Sequence, residues 1–225
     1  MRDIWAVIPV KESDGAKHRL SDLLSPPERR RLAETMLTDT LAAVAGSRLL
    51  AGVMIVTLDP HATAVGERIG ARIVTEGARD GHTGSVNAGR RLLAGERRAG
   101  IITMPGDIPA VRADEIDAVL SAHLEAPSLT ISPAHDDLGS NAVVCSPPES
   151  VPLRFGDNSY FPHLEAARLQ GIEPTVIRQA GIAFDIDHPV DVALFLRLPQ
   201  SAGTRTRSLL EELGVPALLA KRGIA

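Results

Sequence analysis

The sequence predicts an α/β domain in which a mostly parallel sheet carries helices on both of its faces. Short apolar runs alternate with segments of helical periodicity along most of the chain, and this alternation is typical of parallel strands joined by helical crossovers. The 225 residues are 44% hydrophobic and 23% charged, which excludes disordered and collagen-like chains. Because no Gly-, Ser- or Pro-rich linker divides the chain, we interpret residues 1–225 as one domain.

The first half of the chain contains four predicted strands with predicted helices between and after them. The strands are the apolar runs at residues 5–10, 53–56, 71–74 and 101–104. Helices are expected where capping residues precede apolar residues that recur every three or four positions. Such patterns begin at Ser25-Pro26-Pro27-Glu28, at Asp59-Pro60, at Val86 and shortly before Ile116.

The second half of the chain is less regular. Strands are predicted at 129–131 and 142–145, and the polar turn 135–140 between them allows an antiparallel pair. The remaining predicted elements are a helix over 160–169, strands at 175–177 and 182–186, a helix after Pro189 and one or two short helices at the end.

Composition argues against several classes of partner. Lys and Arg number 24 against 28 Asp and Glu, and aromatic residues make up 3%, so neither a basic surface nor a base-stacking platform for nucleic acid is expected. No apolar run approaches the ~18 residues of a membrane helix. The N-terminus lacks the pattern of a signal peptide. The single cysteine, Cys145, excludes an intramolecular disulfide, and a cytoplasmic location is expected.

The loop after the first strand is the first candidate binding segment, because ligands of open α/β sheets bind at the carboxyl ends of strands. It carries Lys11, Lys17 and Arg19, which can present positive charge and backbone N–H groups to phosphates. The loop has neither the Gly-Lys-Ser/Thr order of a Walker A loop nor the glycines of a dinucleotide fingerprint. A solvated surface loop is the alternative.

Three aspartates are candidate metal ligands. Asp107 lies in the rigid turn Pro105-Gly106-Asp107-Ile108-Pro109, and Asp185 and Asp187 face the same side of a predicted extended segment. Adjacent carboxylates repel unless a cation lies between them, and hard oxygen ligands suit one or two Mg²⁺ ions on a triphosphate. The alternatives are that Asp107 bonds its own turn and that Asp187 caps the helix at Pro189.

A glycine-containing segment, residues 80–89, offers hydrogen-bonding groups to a base or sugar. It is predicted as a loop that runs into a helix, and it contains Ser85 and Asn87. Glycines allow the close approach of a ligand to the backbone. A simple loop with a helix cap is the alternative.

Two further polar segments are candidates for a second anion site. One contains Asn141, and the other contains Gly156 and Ser159 just before the helix at residue 160. Backbone N–H groups at a helix N-terminus attract anions. The alternative is that both segments are connecting loops, and His163 nearby is interpreted as structural.

Together these segments resemble the CofC family, the guanylyltransferases of coenzyme F420 biosynthesis. The matching stretches occur in the family's order and cover most of the chain: residues 8–11, 16–21, 85–89, 105–109, 139–142, 155–160 with His163, and 183–191. The Gly-Ser-Asn and Phe-Gly pieces distinguish the chain from molybdopterin guanylyltransferases, which share the fold. Departures are Met104-Pro105 where the family often has Leu-Pro, His18 where it often has Ser, and the less typical segment around His82.

The resemblance implies a Rossmann-like nucleotidyltransferase fold, with GTP and a small phosphorylated carboxylic acid as substrates and pyrophosphate as product. Members use 2-phospho-L-lactate, phosphoenolpyruvate or 3-phosphoglycerate. By carry-over, Lys17 and Asp107 are the catalytic candidates. The other implied roles are triphosphate binding by Lys11, Lys17 and Arg19, contact with the nucleoside by Ser85 and Asn87, binding of the acid's phosphate by Asn141, Gly156 and Ser159, and Mg²⁺ binding by Asp107, Asp185 and Asp187.

Three other functions fit the same residues less completely. One is a different nucleotidyltransferase of the molybdopterin type, and another is a glycosyltransferase that uses Asp185-Ile186-Asp187 as its metal motif. The third is a nucleotide sensor without catalytic activity. A homodimer is compatible with the prevalence of symmetric dimers among soluble enzymes.

Overall fold

A computed structural model describes residues 3–13, 15–156 and 158–224, so Asp14 and Asp157 of the motif segments lie outside the described residues. Its strands are β1 Ile4–Val10, β2 Gly52–Thr57, β3 Arg72–Val74, β4 Gly100–Thr103, β5 Ser128–Pro133, β6 Ser140–Ser146 and β7 Thr175–Val176. They form one sheet in the order β3-β2-β1-β4-β6-β5-β7. Strands β1 to β4 are mutually parallel, β6 is antiparallel to β4 and β5, and β7 is parallel to β5.

The helices are α1 Pro26–Gly46, α2 Pro60–Arg68, α3 Gly81–Gly95, α4 Ala113–Ala122, α5 Tyr160–Leu169, α6 Pro189–Arg197, α7 Arg205–Glu212 and α8 Val215–Lys221. Helices α1 and α2 begin where their capping residues Ser25 and Asp59 predicted. The carboxylate of Glu28 accepts the Ser25 N–H at 2.7 Å, and Asp59 accepts the Ala62 N–H at 2.9 Å. These bonds satisfy N–H groups that a helix start leaves unpaired.

Helices cover both faces of the sheet, as predicted. Along β1, Ile4, Ala6 and Ile8 pack in one apolar cluster with residues of α1, α2 and α4. Val7 points the other way and packs in a second cluster with residues of α3 and α5. This alternation follows from the two-residue period of a strand. A third cluster joins α1 to α6, α7 and α8, so the C-terminal helices cover α1.

The order of the strands reverses between β1 and β4. From β1 the chain proceeds outward to β2 and β3, and then returns to place β4 on the other side of β1. In such sheets ligands bind in the crevice at the carboxyl ends of the two central strands. The segments that carry Lys17 and Asp107 follow these two strand ends.

The strand predicted at 182–186 is wrong. The segment is irregular and is held by single backbone bonds: the His135 N–H donates to the Ala183 carbonyl at 2.9 Å, and the Ile186 N–H donates to the Asp107 carbonyl at 3.2 Å. Ile182 and Ile186 are buried because they pack in two different clusters. The apolar run that suggested a strand therefore results from anchoring on two sides.

The predicted start of the third helix is also wrong, because α3 begins at Gly81 and not at Val86. The glycine-containing segment is therefore part of the helix. Gly89 serves close packing, since a Cβ atom there would lie 2.7 Å from Val7 Cγ1. Within the described residues, no helix is long and apolar enough to span a lipid bilayer.

Candidate active site

Two adjoining cavities open at the carboxyl ends of β1 and β4. The first, of about 460 Å³, is lined by the loop after β1 and by residues of α1. The second, of about 930 Å³, extends toward β6 and the N-terminus of α5. Five residues line both cavities: Lys11, His82, Pro105, Asp107 and Asp187.

Lys17 connects the loop after β1 to two of the predicted aspartates. Its Nζ donates to Asp107 Oδ2 at 2.6 Å and to Asp187 Oδ1 at 2.8 Å, and its side chain is 9% exposed. Burial disfavours the ammonium form, but the two carboxylates outweigh burial and raise the pKa of Lys17 above its ordinary value. Lys17 is therefore charged in this site. Its φ of 53° is a conformation that costs energy outside glycine, and such strain concentrates at functional sites.

The three aspartates differ in their surroundings. Asp107 Oδ1 is buried and has no hydrogen-bond partner among the described residues. Burial, and next the charge of Asp107, raise the pKa of Asp185. Burial also acts on Asp187, but Lys17 and Arg19 outweigh it and lower the pKa of Asp187. Within the described part of the chain, no three acidic, histidine or cysteine side chains converge closely enough to hold a metal ion alone.

A backbone bond brings the distant aspartates together. The Asp107 carbonyl accepts the Ile186 N–H at 3.2 Å, which holds the turn after β4 against the segment that carries Asp185 and Asp187. Gly181 precedes this segment, and its N–H donates to the Glu115 carboxylate at 2.7 Å. The aspartates are thus assembled by two connections outside the sheet.

The wall of the second cavity contains the predicted anion-binding residues. Asn141 Nδ2 donates to the Ile182 carbonyl at 3.0 Å and to Asp185 Oδ1 at 3.1 Å, which joins β6 to the aspartate segment. Gly156, whose φ is 149°, and Ser159 line the same cavity. Asn141 and Ser159 are buried.

His163 has the structural role expected from the sequence. Its Nε2 accepts the Arg154 N–H at 3.1 Å, so its Nδ1 carries the proton toward Ser140 Oγ, 2.9 Å away. Burial, aided by Arg90 and His82, lowers the pKa of His163 to about 4. The neutral ring anchors the loop that leads to Gly156.

Acid should destabilise the fold through His163. Its pKa is 6.5 when unperturbed and about 4 in the folded chain, so the unfolded chain binds the proton first as pH falls from 6.5 to 4. We expect the free energy of unfolding to fall between pH 7 and pH 5 by about 2 kcal/mol more in wild type than in His163→Gln. Urea titrations at the two pH values measure this difference. Equal losses in the two proteins would contradict it.

Of the two residues predicted to contact the nucleoside, Ser85 lines one of the two cavities and Asn87 lines neither. Ser85 lines the first cavity, and its Oγ donates to the Gly77 carbonyl at 3.0 Å. Asn87 is not brought to either cavity: its Oδ1 accepts from Arg90 Nη1 at 3.0 Å, on the side of α3 that contacts the Pro148 carbonyl. The cationic residues Lys11 and Arg19 both line the second cavity.

Sequence reasoning missed His82. Its ring centroid lies 4.7 Å from that of Phe155, and the Phe155 backbone both donates to and accepts from Thr83 Oγ1, at 2.9 and 3.1 Å. Burial lowers the pKa of His82 to about 4 against the opposing charge of Asp107, and the charge of Lys11 adds a smaller lowering effect. A single histidine among glycines shows no periodicity or ligand spacing, so no local signal marked it.

Comparison with known proteins identifies the family. Residues 4–222 match the model of the family described as guanylyl transferase CofC-like. The chain belongs to the CofC family.

Several CofC relatives align with nearly the whole chain. A phosphoenolpyruvate guanylyltransferase from Rubrobacter xylanophilus is 34% identical over 91% of this chain and 97% of its own. A 3-phospho-D-glycerate guanylyltransferase from Phenylobacterium zucineum is 31% identical, covering 92% and 95%. A 2-phospho-L-lactate guanylyltransferase from Methanothermobacter thermautotrophicus is 30% identical, covering 92% and 90%. The resemblance found in the sequence motifs is thus confirmed.

Solved structures agree on the fold. A protein described as a nucleotide-diphospho-sugar transferase from Desulfovibrio desulfuricans G20 superposes with a TM-score of 0.77 at 19% identity, covering 98% of both chains. A 4-diphosphocytidyl-2C-methyl-D-erythritol synthase from Anaerococcus prevotii gives a TM-score of 0.57 at 13% identity, covering 86% and 96%. The predicted nucleotidyltransferase fold is confirmed.

Proposed function

We propose that this CofC protein transfers GMP from GTP to the phosphate of a small phosphorylated carboxylic acid and releases pyrophosphate, as a step of coenzyme F420 biosynthesis. The acid is 2-phospho-L-lactate, phosphoenolpyruvate or 3-phosphoglycerate. The observation that carries the proposal is a buried ammonium group bonded to Asp107 and Asp187, where two cavities meet. A reaction between two anions needs positive charge at the boundary of its two binding sites, and the ammonium group together with a metal ion held by the carboxylates would supply it.

In this proposal GTP occupies the first cavity. Lys11 and Lys17 line it and bind the triphosphate, while Arg19 adds charge from the adjacent cavity. Ser85 lines the same cavity and would contact the nucleoside. Its hydroxyl donates to the Gly77 carbonyl and can still accept a hydrogen bond. Asn87 would keep its hydrogen bond with Arg90 and would not contact the nucleoside.

The donor set fits a magnesium ion. Asp107 Oδ1 is a buried acceptor without a partner in the described residues, and the raised pKa of Asp185 marks a carboxyl group crowded by burial and by Asp107. Hard oxygen ligands of this kind hold Mg²⁺ together with substrate phosphates. Asp107, Asp185 and Asp187 would hold it, and the ion would neutralise phosphate oxygens.

The acid would occupy the second cavity. Asn141, Gly156 and Ser159 line its wall and are proposed to bind the acid's phosphate. Both N–H groups of the Asn141 amide donate to Ile182 and Asp185, so Asn141 would give up one of these bonds to bind the phosphate. Asn141 lies beside Asp185 at 3.1 Å, so an anion bound there is close to the proposed metal ligands. Gly156 and Ser159 precede α5, whose N-terminal N–H groups favour an anion.

The chain's residues would promote transfer by position and charge. A phosphate oxygen of the acid attacks the α-phosphorus of GTP, a new P–O bond forms, and the bond to pyrophosphate breaks. The attacking phosphate is already anionic, so no general base is required. Lys17 offsets the charge that develops on pyrophosphate, and the cavities hold the two reactants in line.

Release of pyrophosphate from one NTP and one acid tests the proposal. The experiment crosses the four NTPs with the three acids in the presence of Mg²⁺, with reactions lacking acid as controls. We expect release with GTP and one of the acids, and mass spectrometry should find GMP attached to that acid.

Other outcomes identify the alternatives. A folded protein that binds GTP but releases no pyrophosphate with any acid would contradict the proposal and favour a nucleotide sensor. Transfer of a sugar from a sugar nucleotide, without pyrophosphate release, would instead identify a glycosyltransferase.

A further inference from the structure

One group in the proposed reaction must be reached from both cavities. The α-phosphate of GTP begins the reaction bonded to pyrophosphate and ends it bonded to the acid. Side chains that line both cavities are therefore the ones positioned to contact it. These are Lys11, His82, Pro105, Asp107 and Asp187.

Only two of these five side chains can donate a hydrogen bond to a phosphate oxygen. Pro105 has no donor, and the carboxylates of Asp107 and Asp187 are acceptors. Lys11 supplies an ammonium group on an exposed side chain in the loop after β1. His82 remains as the donor on a rigid element, since it lies in the first turn of α3.

Packing holds the ring of His82 in place. Neither nitrogen has a hydrogen-bond partner among the described residues, although the ring is half-buried. Its packing against Phe155 orients it, with ring centroids 4.7 Å apart and planes 50° apart. The two bonds between Thr83 and the Phe155 backbone fix that support. An oriented imidazole that lines two cavities, and whose nitrogens have no partner among the described residues, is arranged for a ligand.

On the basis of the proposed function, we infer that His82 is a catalytic residue whose ring N–H donates a hydrogen bond to a non-bridging oxygen of the GTP α-phosphate. No proton is transferred by His82. The bond to the acid's oxygen forms and the bond to pyrophosphate breaks, while the imidazole keeps its proton. A fixed donor at the α-phosphate stabilises charge on the oxygens of the transition state without reorganisation.

Two substitutions of His82 test the hydrogen-bond donor and the aromatic ring separately. His82→Phe keeps an aromatic ring for Phe155 and removes the donor, whereas His82→Gln keeps an N–H donor and removes the ring. We expect His82→Phe to lower kcat by about 100-fold, in the range observed when one transition-state donor is removed, and His82→Gln to recover at least part of that loss. Thermal unfolding of both variants checks that they fold.

A second readout does not depend on turnover. Phosphorus NMR of GTP bound with Mg²⁺, without acid, should show a displaced α-phosphorus resonance in His82→Phe and an unchanged γ-phosphorus resonance. His135→Phe is the matched control, because His135 lines only the second cavity and stacks on Phe184 at 4.5 Å. It should leave the α-phosphorus resonance in place.

The NMR measurement tests the contact between His82 and the α-phosphate even if the proposed function is wrong. A wild-type protein that binds GTP but transfers GMP to none of the acids would overturn the proposed function, and the α-phosphorus resonance would still decide the contact. An α-phosphorus resonance that is the same in wild type and His82→Phe would overturn the inference. So would equal displacement of all three resonances, or a His82→Phe enzyme with wild-type kcat.

Discussion

Asp107→Asn should abolish nearly all pyrophosphate release while the protein stays folded. The amide can still accept the bond from Lys17, so the ion-pair region keeps its shape. What it loses is the negative charge of a carboxylate with one buried oxygen that has no hydrogen-bond partner in the described part of the chain, and such a group is suited to hold Mg²⁺. Loss of several kcal/mol of metal-dependent stabilisation corresponds to a fall in kcat of about 10³-fold. Initial rates of pyrophosphate release measure it.

The matched control for this prediction is Asp114→Asn. Asp114 lies in the first turn of α4, is 70% exposed and lies 3.3 Å from Arg112 Nε, so the substitution removes one carboxylate that lines neither cavity. It should keep wild-type turnover. Wild-type activity in Asp107→Asn would remove the proposed metal role from this residue, and circular dichroism of both variants verifies that folding is unaffected.

Lys17→Met should change turnover and metal binding in opposite directions. Without the ammonium group, the charge on departing pyrophosphate is uncompensated, and kcat should fall by about 10²- to 10³-fold. In the absence of nucleotide, however, Asp107 and Asp187 lose the cation that lies 2.6 and 2.8 Å from them. Their attraction for a divalent ion then increases, and we expect Mn²⁺ to bind about tenfold more tightly. Electron paramagnetic resonance of free Mn²⁺ measures this affinity.

Arg19→Met provides the comparison for Lys17→Met. It removes the same unit of charge, but Arg19 is 60% exposed and its Nη1 lies 3.5 Å from Asp187 Oδ2. Solvent screens such a pair, and Lys17 would still separate Asp107 from Asp187. The gain in Mn²⁺ affinity should be smaller than in Lys17→Met. Equal Mn²⁺ affinities in wild type and Lys17→Met would contradict the prediction.

Much of the fold could be predicted because its signals are local. The Ser25 and Glu28 pair marks the start of α1, and Asp59 marks the start of α2. The turn between residues 135 and 140 separates β5 from β6, which are antiparallel as the spacing allowed. Each of these features depends on residues close together in the chain, so propensity and periodicity are sufficient to find them.

Two predictions were wrong, the strand at 182–186 and the start of α3, because contacts with distant parts of the chain determined the local conformation there. Residues 182–186 form a mostly apolar run like that of a buried strand, yet the segment makes no ladder and is anchored by Ile182 and Ile186 in two apolar clusters. The glycines before Val86 suggested a loop, but Gly81 and Gly84 belong to α3, which packs on Val7 at Gly89. In both cases tertiary packing decided the conformation, which a local pattern cannot anticipate.

The sequence by itself determined the fold class, the family and the residue types available for chemistry: cations after β1, and carboxylates after β4 and before α6. Only the tertiary structure decided which of them meet. Lys17 contacts Asp107 and Asp187, which are 90 and 170 residues away, and Asn87 turns to Arg90 instead of a cavity. His82 acquires its position between the two cavities in the same way. The physical reason is that such contacts depend on the order of the strands in the sheet. They also depend on individual bonds between distant segments, such as the bond from the Ile186 N–H to the Asp107 carbonyl, and no local pattern in the sequence indicates that these segments are close.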